Sequence, residues 1–398
     1  MKTIKNSFIL LIILSAFSSC GSSSDNDGAT KVDVRGEFFK TYADIAYHSY
    51  NDSYSTVKVI KEKITAFNAN PTKEGFDAIK KAWLDAREPY GQTEVFRFYD
   101  DSPIEKVEGN VNPWPLDESW IDYVYNPQTH KILEEGLVNN TALDVNQTVL
   151  KSKHEGNNSE SNVTLGYHAI EFLLWGQDLY ADKPGQRTFH DYSDNDVLTG
   201  DHVYNAKNKN RRREYLALVT DLLLEDLKSV VDAWAEGGAY RKTFLALSEK
   251  EKFKRILTGM GKLANGELMG ERIREAYNTK DPENEHSCFS DNTHRDIILN
   301  AKGIENIYLG VYGTTVTSKG LYHVALEFDE TLAEKLKTQF SATAKAAEAI
   351  PVPFDNAIVS TEGRAKIEVV MTALVNEANS IAAIAKKLGI ENFSTELD

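Results

Sequence analysis

From Arg35 almost to the C-terminus one pattern recurs: apolar residues fall at spacings of three and four, and clusters of Gly, Pro and Asn interrupt them. That period matches the turn of an amphipathic helix rather than the alternation of a half-buried strand. It predicts helices over 35–68, 72–99, 117–124, 128–135, 162–176, 208–236, 249–279, 290–309, 321–348 and 361–388. Alternating Val, Ile and Thr runs closed by tight hairpin turns are not found, so a sheet-based fold is not expected. Start signals agree: Asn70-Pro71-Thr72 precedes one segment with Glu74 in its first turn, and Ser248-Glu249-Lys250-Glu251 offers a capping box to another. Long helices joined by short turns must bury their apolar stripes against one another, so the expected fold is all-α and bundle-like.

Two stretches break the pattern. Residues 100–118 hold Pro103, Gly109, Pro113 and Pro115 around Trp114, and residues 178–207 are rich in Asp, Asn, Gly and His; both are expected to be long loops. In the second, His190, Asp191, Asp194, Asp196, Asp201 and His202 could collect cations, although a solvated loop is the simpler reading. Arg211-Arg212-Arg213 is short and set in an acidic chain, so it is expected to decorate a helix start.

The N-terminus carries Lys2 and Lys5, an apolar run from Phe8 to Leu14, and Ser18-Ser19-Cys20-Gly21. This reads as a secretory signal, because the run is well short of the about 20 residues that span a bilayer. The last four residues resemble the cleavage box of bacterial lipoproteins. Residues 1–19 are therefore expected to be removed and Cys20 to carry lipid, tying the chain to the outer membrane with the protein facing the periplasm or the cell surface. Residues 20–34, with Gly21-Ser22-Ser23-Ser24-Asp25-Asn26-Asp27-Gly28, are too polar to pack and read as a flexible tether. Loss of Lys2 and Lys5 moves the formal charge from −15 to −17. A surface so acidic repels nucleic acid, which is not an expected partner. Beyond Cys20 the one cysteine is Cys288, so no internal disulfide is expected and the core must hold the fold.

The segment Leu165-Gly166-Tyr167-His168-Ala169-Ile170-Glu171-Phe172-Leu173-Leu174-Trp175 is the most informative. On a helix, His168 and Glu171 project side by side from an otherwise apolar face. Burying both among Phe, Leu and Trp is costly unless they are paired or bound to a metal. Two readings stand: one metal ion held by imidazole and carboxylate, or a self-satisfied hydrogen-bonded pair. Glu94 is the first candidate for a third ligand, on a segment that also carries Arg87 and Tyr90; its plain alternative is an Arg–Glu salt bridge. A later block offers Glu285, His286, Asp291 and His294. Asp291 is expected to cap the following helix, His286 and His294 to hold loop carbonyls unless they are ligands, and Cys288 to be a buried, inert thiol. Ligation rich in oxygen with one imidazole suits a divalent or ferric ion, iron or zinc, better than copper(I).

Gly166-Tyr167-His168-Ala169-Ile170-Glu171 matches the GxHxxE motif of imelysin-like proteins, and Trp175-Gly176-Gln177-Asp178 continues that pattern. The stretches Ala86–Glu94, Asn112-Pro113-Trp114-Pro115, Gly261–Leu268 and Glu283–His294 resemble further blocks of the same family, in the same order. The resemblance covers about residues 35–390. It implies a two-lobed helical fold with bundle-like halves, divided here at about 240 into 35–240 and 241–390, and a link to bacterial iron uptake, so that iron or haem uptake components are the partners it suggests. The family is also classed among metallopeptidases. An inverted-zincin helix needs HxxEH, whereas Phe172 stands where the second His would be. A metal-binding protein is therefore the leading expectation and a metallopeptidase the second. A module that binds an envelope polymer or a protein through Trp114 and Trp120 is the third.

Overall fold

Where the apolar spacing is most regular the helices are longest. Helix α1 (Val34–Ala69) buries Phe38, Tyr42, Ile45, Ser49, Val57, Ile60, Ile64 and Phe67, one residue every three or four or a multiple of that step. It packs along α2 (Lys73–Tyr90) and, after α3 (Gly166–Trp175), along α4 (Lys209–Trp234). A second set comes from the later half of the chain. Helix α5 (Glu249–Lys262) and α6 (Thr293–Leu309) lead into α7 (Glu330–Glu348), and the short α8 (Phe354–Val359) precedes α9 (Thr361–Lys387), which lies along α7 and α5. The computed structural model describes residues 33–193 and 206–397. Cys20, the signal segment, all of the tether but its last two residues, and Asp194, Asp196, Asp201 and His202 lie outside them.

The helix starts follow the side-chain chemistry read from the sequence. Thr72 accepts a hydrogen bond from the Gly75 amide at 3.1 Å, and Ser248 accepts one from Glu251 at 3.2 Å. Helix α9 is long and apolar enough to cross a membrane by length and composition, yet Ile367, Val370, Leu374, Ile381 and Ile384 on it are fully buried in the protein core.

Several expected helices differ. The segment 128–135 is not helical: Val124–Asn126 (β1) and Lys131–Leu133 (β2) pair antiparallel, Val124 opposite Leu133. The Asn126 side chain closes the turn by accepting from the amides of Gln128 and Thr129, and that local bond competes with helix formation. The helix expected over 117–124 is the single turn Glu118–Ile121. The segment 72–99 changes form at Tyr90, just after Pro89, and continues as a 3-10 turn over Gly91–Phe96, because proline removes the amide that would extend the α-ladder. The segment 249–279 is α-helical to Lys262, widens into a π-helix over Leu263–Arg274, and narrows again at Glu275–Thr279. Within 321–348 the chain breaks after Leu321–Ala325, and Asp329 caps α7 by accepting from Leu332.

Arg212 does not decorate a surface. It is fully buried at the start of α4, where its guanidinium grips both oxygens of Asp122, at 2.5 and 2.8 Å. Arg187 reaches the same carboxylate at 2.9 Å.

A lone buried acid ties α9 to α7. Glu377 accepts from the Thr343 hydroxyl, and burial pushes its carboxyl up to about 8. In the unfolded chain it titrates at about 4.3, so folding takes up a proton between these values and stability falls as pH rises through that window. The advantage of Glu377→Gln over the parent is expected to grow from pH 5 to pH 8 in urea unfolding. A difference that stays flat with pH would contradict this.

Candidate functional site

Helix α3 carries the site because its surroundings leave no alternative to its backbone path. Gly166 has φ +82°, and a Cβ there would lie 2.6 Å from the Val111 carbonyl oxygen, so the close approach to residues 110–113 needs glycine. All ten residues of the helix are buried. The carbonyls of its last turn are satisfied from outside the helix: the Arg187 amide donates to Trp175 at 2.8 Å, and the Tyr192 hydroxyl donates to Leu173. At its start the Trp83 indole donates to the Tyr167 carbonyl at 3.0 Å.

His168 and Glu171 meet one turn apart, as their spacing predicts, with Nδ1 and Oε2 2.8 Å apart. The other oxygen, Oε1, accepts from the Ser290 amide at 3.0 Å and its hydroxyl at 2.6 Å. Glu171 is thus turned toward His168 and the loop before α6. Burial pushes its carboxyl up to about 8 against the pull of the Ser290 hydroxyl and Arg87. Burial, with His286 and Arg87 nearby, holds His168 well below its usual range, so the imidazole is neutral. Its Nε2 is buried and has no hydrogen-bond partner.

The His286 ring stands edge-on to His168, with centroids 4.6 Å apart, and the Trp114 ring lies 5.0 Å from His168. His286 Nδ1 is 2.8 Å from Asp296 Oδ2, and Nε2 is 3.2 Å from the Asn112 amide nitrogen, so Nδ1 donates and Nε2 accepts. Asp296 also accepts from Ser287 Oγ at 2.5 Å and from Arg87 at 3.0 Å. Burial opposes the charge on Asp296, but Arg87 and His286 overcome it and hold the carboxyl well below its usual range. Arg87 completes the link by donating to Asn112 at 2.6 Å.

Glu94 lies in the 3-10 turn after α2 and is gripped by Arg272 at 2.6 Å and Arg97 at 2.9 Å. Burial would raise its carboxyl; the two arginines bring it down to about 2. The wide π-turn delivers Glu267 to the same arginines, at 3.0 Å from Arg272. Oε1 of Glu94 has no partner, and neither do the buried hydroxyls of Tyr90 and Tyr167, whose rings lie 4.6 Å apart. Beside these groups a cleft of about 530 Å³ opens to solvent. His286, Asn112 and Trp114 line it together with Arg97, Arg272 and the six acids Glu108, Glu155, Glu160, Glu267, Glu271 and Glu275. Its balance of charge favours a cation.

The imelysin (peptidase M75) family model matches residues 46–381. The chain belongs to the imelysin family. It is 22% identical over 380 residues to Iron-regulated protein A of Synechococcus elongatus, covering 93% of this chain and 89% of that protein. A crystal structure described as an iron-regulated protein A precursor from Parabacteroides distasonis aligns with a TM-score of 0.68 and 18% identity, over 91% of this chain and 97% of that one. An imelysin-like protein from Psychrobacter arcticum aligns with a TM-score of 0.61 and 13% identity, over 92% and 98% of the two chains. At these identities the likeness to the solved structures is one of fold.

In this imelysin the expected site residues divide. His168, Glu171, His286 and Arg87 come together around Ser290 and Asp296, whereas Glu94 stands in its own arginine network and Tyr90 beside Tyr167. Asp291 does not cap α6: the residue before the helix is Asn292, without a side-chain cap, and Asp291 itself is left-handed with φ +56°. His294 holds the Asp291 carbonyl at 3.1 Å, whereas His286 bonds side chains and not a loop carbonyl. Glu285 is fully buried with neither oxygen partnered, and burial pushes the Cys288 thiol well up. Both tryptophans are engaged internally, Trp114 against the histidines and Trp120 as a donor to Lys153 O at 3.0 Å. The sequence does not single out Asp296 or Arg272, and offers Ser290 only as a cap beside Asp291 and Asn112 only within a block that resembles the family. Of the first two, Asp296 alone had a signal: an acid on the buried stripe of a predicted helix.

Proposed function

We propose that the protein is a metal-binding member of the imelysin family that takes up iron, ferrous or ferric, with zinc as a competitor, at the cell envelope. The observation that carries this reading is Nε2 of His168, a neutral imidazole nitrogen that is buried, unpartnered and backed by the Glu171 carboxyl group, which a bound cation would hold ionised. Carboxylates that hold the far nitrogen of an imidazole fix its tautomer and raise its basicity toward a metal. His168 would hold the ion, Glu171 would orient it, and the acidic cleft would gather cations at its mouth. The names of the relatives support a link to iron regulation in those proteins, and the reading carries that link to this one. Cys20 would bear the lipid that anchors the chain in the outer membrane, where components of iron or haem uptake are the suggested partners.

Calorimetric titration of the purified protein with ferrous, ferric and zinc ions is expected to show binding of at least one. His168→Ala is expected to abolish it, and Glu171→Gln to weaken it about 10–100-fold. Unchanged heats in His168→Ala would sink the site. Peptidase chemistry has less support. The place of a second zinc-binding histidine is held by Phe172, whose ring packs 5.2 Å from Phe289. No chelator-sensitive release of fluorescence from a mixed peptide library is expected; such release would favour the enzyme.

A further inference from the structure

The loop that brings Ser290 and His286 to α3 also takes part in a second constellation. Asp178 follows α3, Asp291 precedes α6, and Asp355 lies in the first turn of α8; one carboxylate oxygen of each lies within 4.8 Å of the others. The three are nearly buried, Asp355 to 2% exposure. Asp178 Oδ2, Asp291 Oδ1 and both oxygens of Asp355 meet no hydrogen-bond donor. Glu285, fully buried, abuts Asp355 and leaves both its own oxygens without a donor.

The charges around these groups are of one sign. Asp291, Asp355 and Glu283 act on Asp178, and Asp355 and Asp182 act on Asp291. Burial and this crowding push Asp178 up to about 8 and Asp291 up to about 7. Elsewhere in the chain the buried acids Glu94, Asp122 and Asp296 each face an arginine. Here no cationic side chain is among the principal neighbours, and buried carboxylates without a counter-charge call for one.

We propose that Asp178, Asp291 and Asp355, with Glu285 beside them, bind one hard divalent cation of the calcium class. Every donor is a carboxylate oxygen, with no imidazole or thiolate that would favour zinc or copper. Oxygens that all lie within 4.8 Å of one another are close enough to share one ion at the ~2.3–2.6 Å typical of calcium. Magnesium keeps several waters and is seldom held by an all-protein cage. The ion would join the end of α3, the loop before α6 and α8, three segments far apart in sequence, and so brace the loop that carries Ser290 and His286. The inference is independent of the iron reading.

The test is calcium titration of the full chain after dialysis against chelator, followed by calorimetry and thermal unfolding. One equivalent of heat and a rise of several degrees in Tm are expected, with a weaker response to magnesium. Asp355→Asn is expected to lose both effects, and Asp178→Asn, in a loop, provides a second variant should the first fail to fold. His168→Ala is expected to keep the calcium response, and Asp355→Asn to keep the heats with iron or zinc, so the two sites fail separately. The proposal is overturned if the parent protein shows no calcium response, if the response survives in both aspartate variants, or if Tm follows pH alone.

Discussion

Replacing Asp296 with alanine is expected to cost about 3–5 kcal/mol of folding stability, the usual range for removing one partner of a buried ion pair. The carboxylate is 1% exposed and accepts from Arg87, His286 and Ser287. Without it the Arg87 guanidinium, also 1% exposed, keeps Asn112 and the faces of Trp83, Tyr90 and Tyr167, but no carboxylate among its hydrogen bonds. Asp296→Asn keeps the shape and is expected to cost less, because one oxygen remains to accept. The substitution also frees the His286 ring, whose Nδ1 proton then lacks its acceptor, so affinity at the cleft should fall along with stability. Urea unfolding of the two variants measures the first effect. A loss below about 1 kcal/mol for Asp296→Ala would mean that Arg87 finds water or another acid.

Asp122→Ala is expected to produce a loss of similar size, again about 3–5 kcal/mol, through a different part of the molecule. One carboxylate serves two buried arginines, Arg212 in a fork and Arg187 at 2.9 Å, and also accepts from the Tyr123 amide and from Asn139. Arg187 retains Asp191 at 3.5 Å as a weaker partner, whereas Arg212 has no second carboxylate among its hydrogen bonds. The consequence reaches the site. The backbone of Arg187 caps the Trp175 carbonyl, and its guanidinium covers the Phe172 ring at 5.0 Å, so the C-terminal end of α3 should loosen. Amide exchange along 170–176 is expected to accelerate more than along α9. Uniform acceleration through the chain would indicate global destabilisation alone.

The chemistry of α3 was legible because it is local. His168 and Glu171 are three residues apart on one helix, and helical geometry alone brings them together. It could not say whether the carboxylate faces an ion beside the imidazole or holds the imidazole from behind, because that depends on Ser290, far along the chain, which occupies the other oxygen. Glu94 shows the opposite case. A helix continued through Pro89 would have put it on the face of Arg87 and Tyr90, but the chain changes pitch at Tyr90 and Glu94 turns to Arg97 and Arg272. The hairpin at 124–133 was missed for a similar local reason: the Asn126 side chain satisfies two amides that a helix would have used, and periodicity does not record such bonds.

By itself the amino-acid order determined the helical class, the positions of the long helices and their caps, and the pairing of His168 with Glu171, since each depends on residues within a few turns of one another. Tertiary structure decided which buried charges meet: Arg87 with Asp296, Arg212 with Asp122, Arg272 with Glu94, and Asp178 with Asp291 and Asp355. These partners lie 64 to 209 positions apart. Desolvation forces each buried charge to seek compensation, but the choice of partner is made by helix packing, which no local pattern encodes.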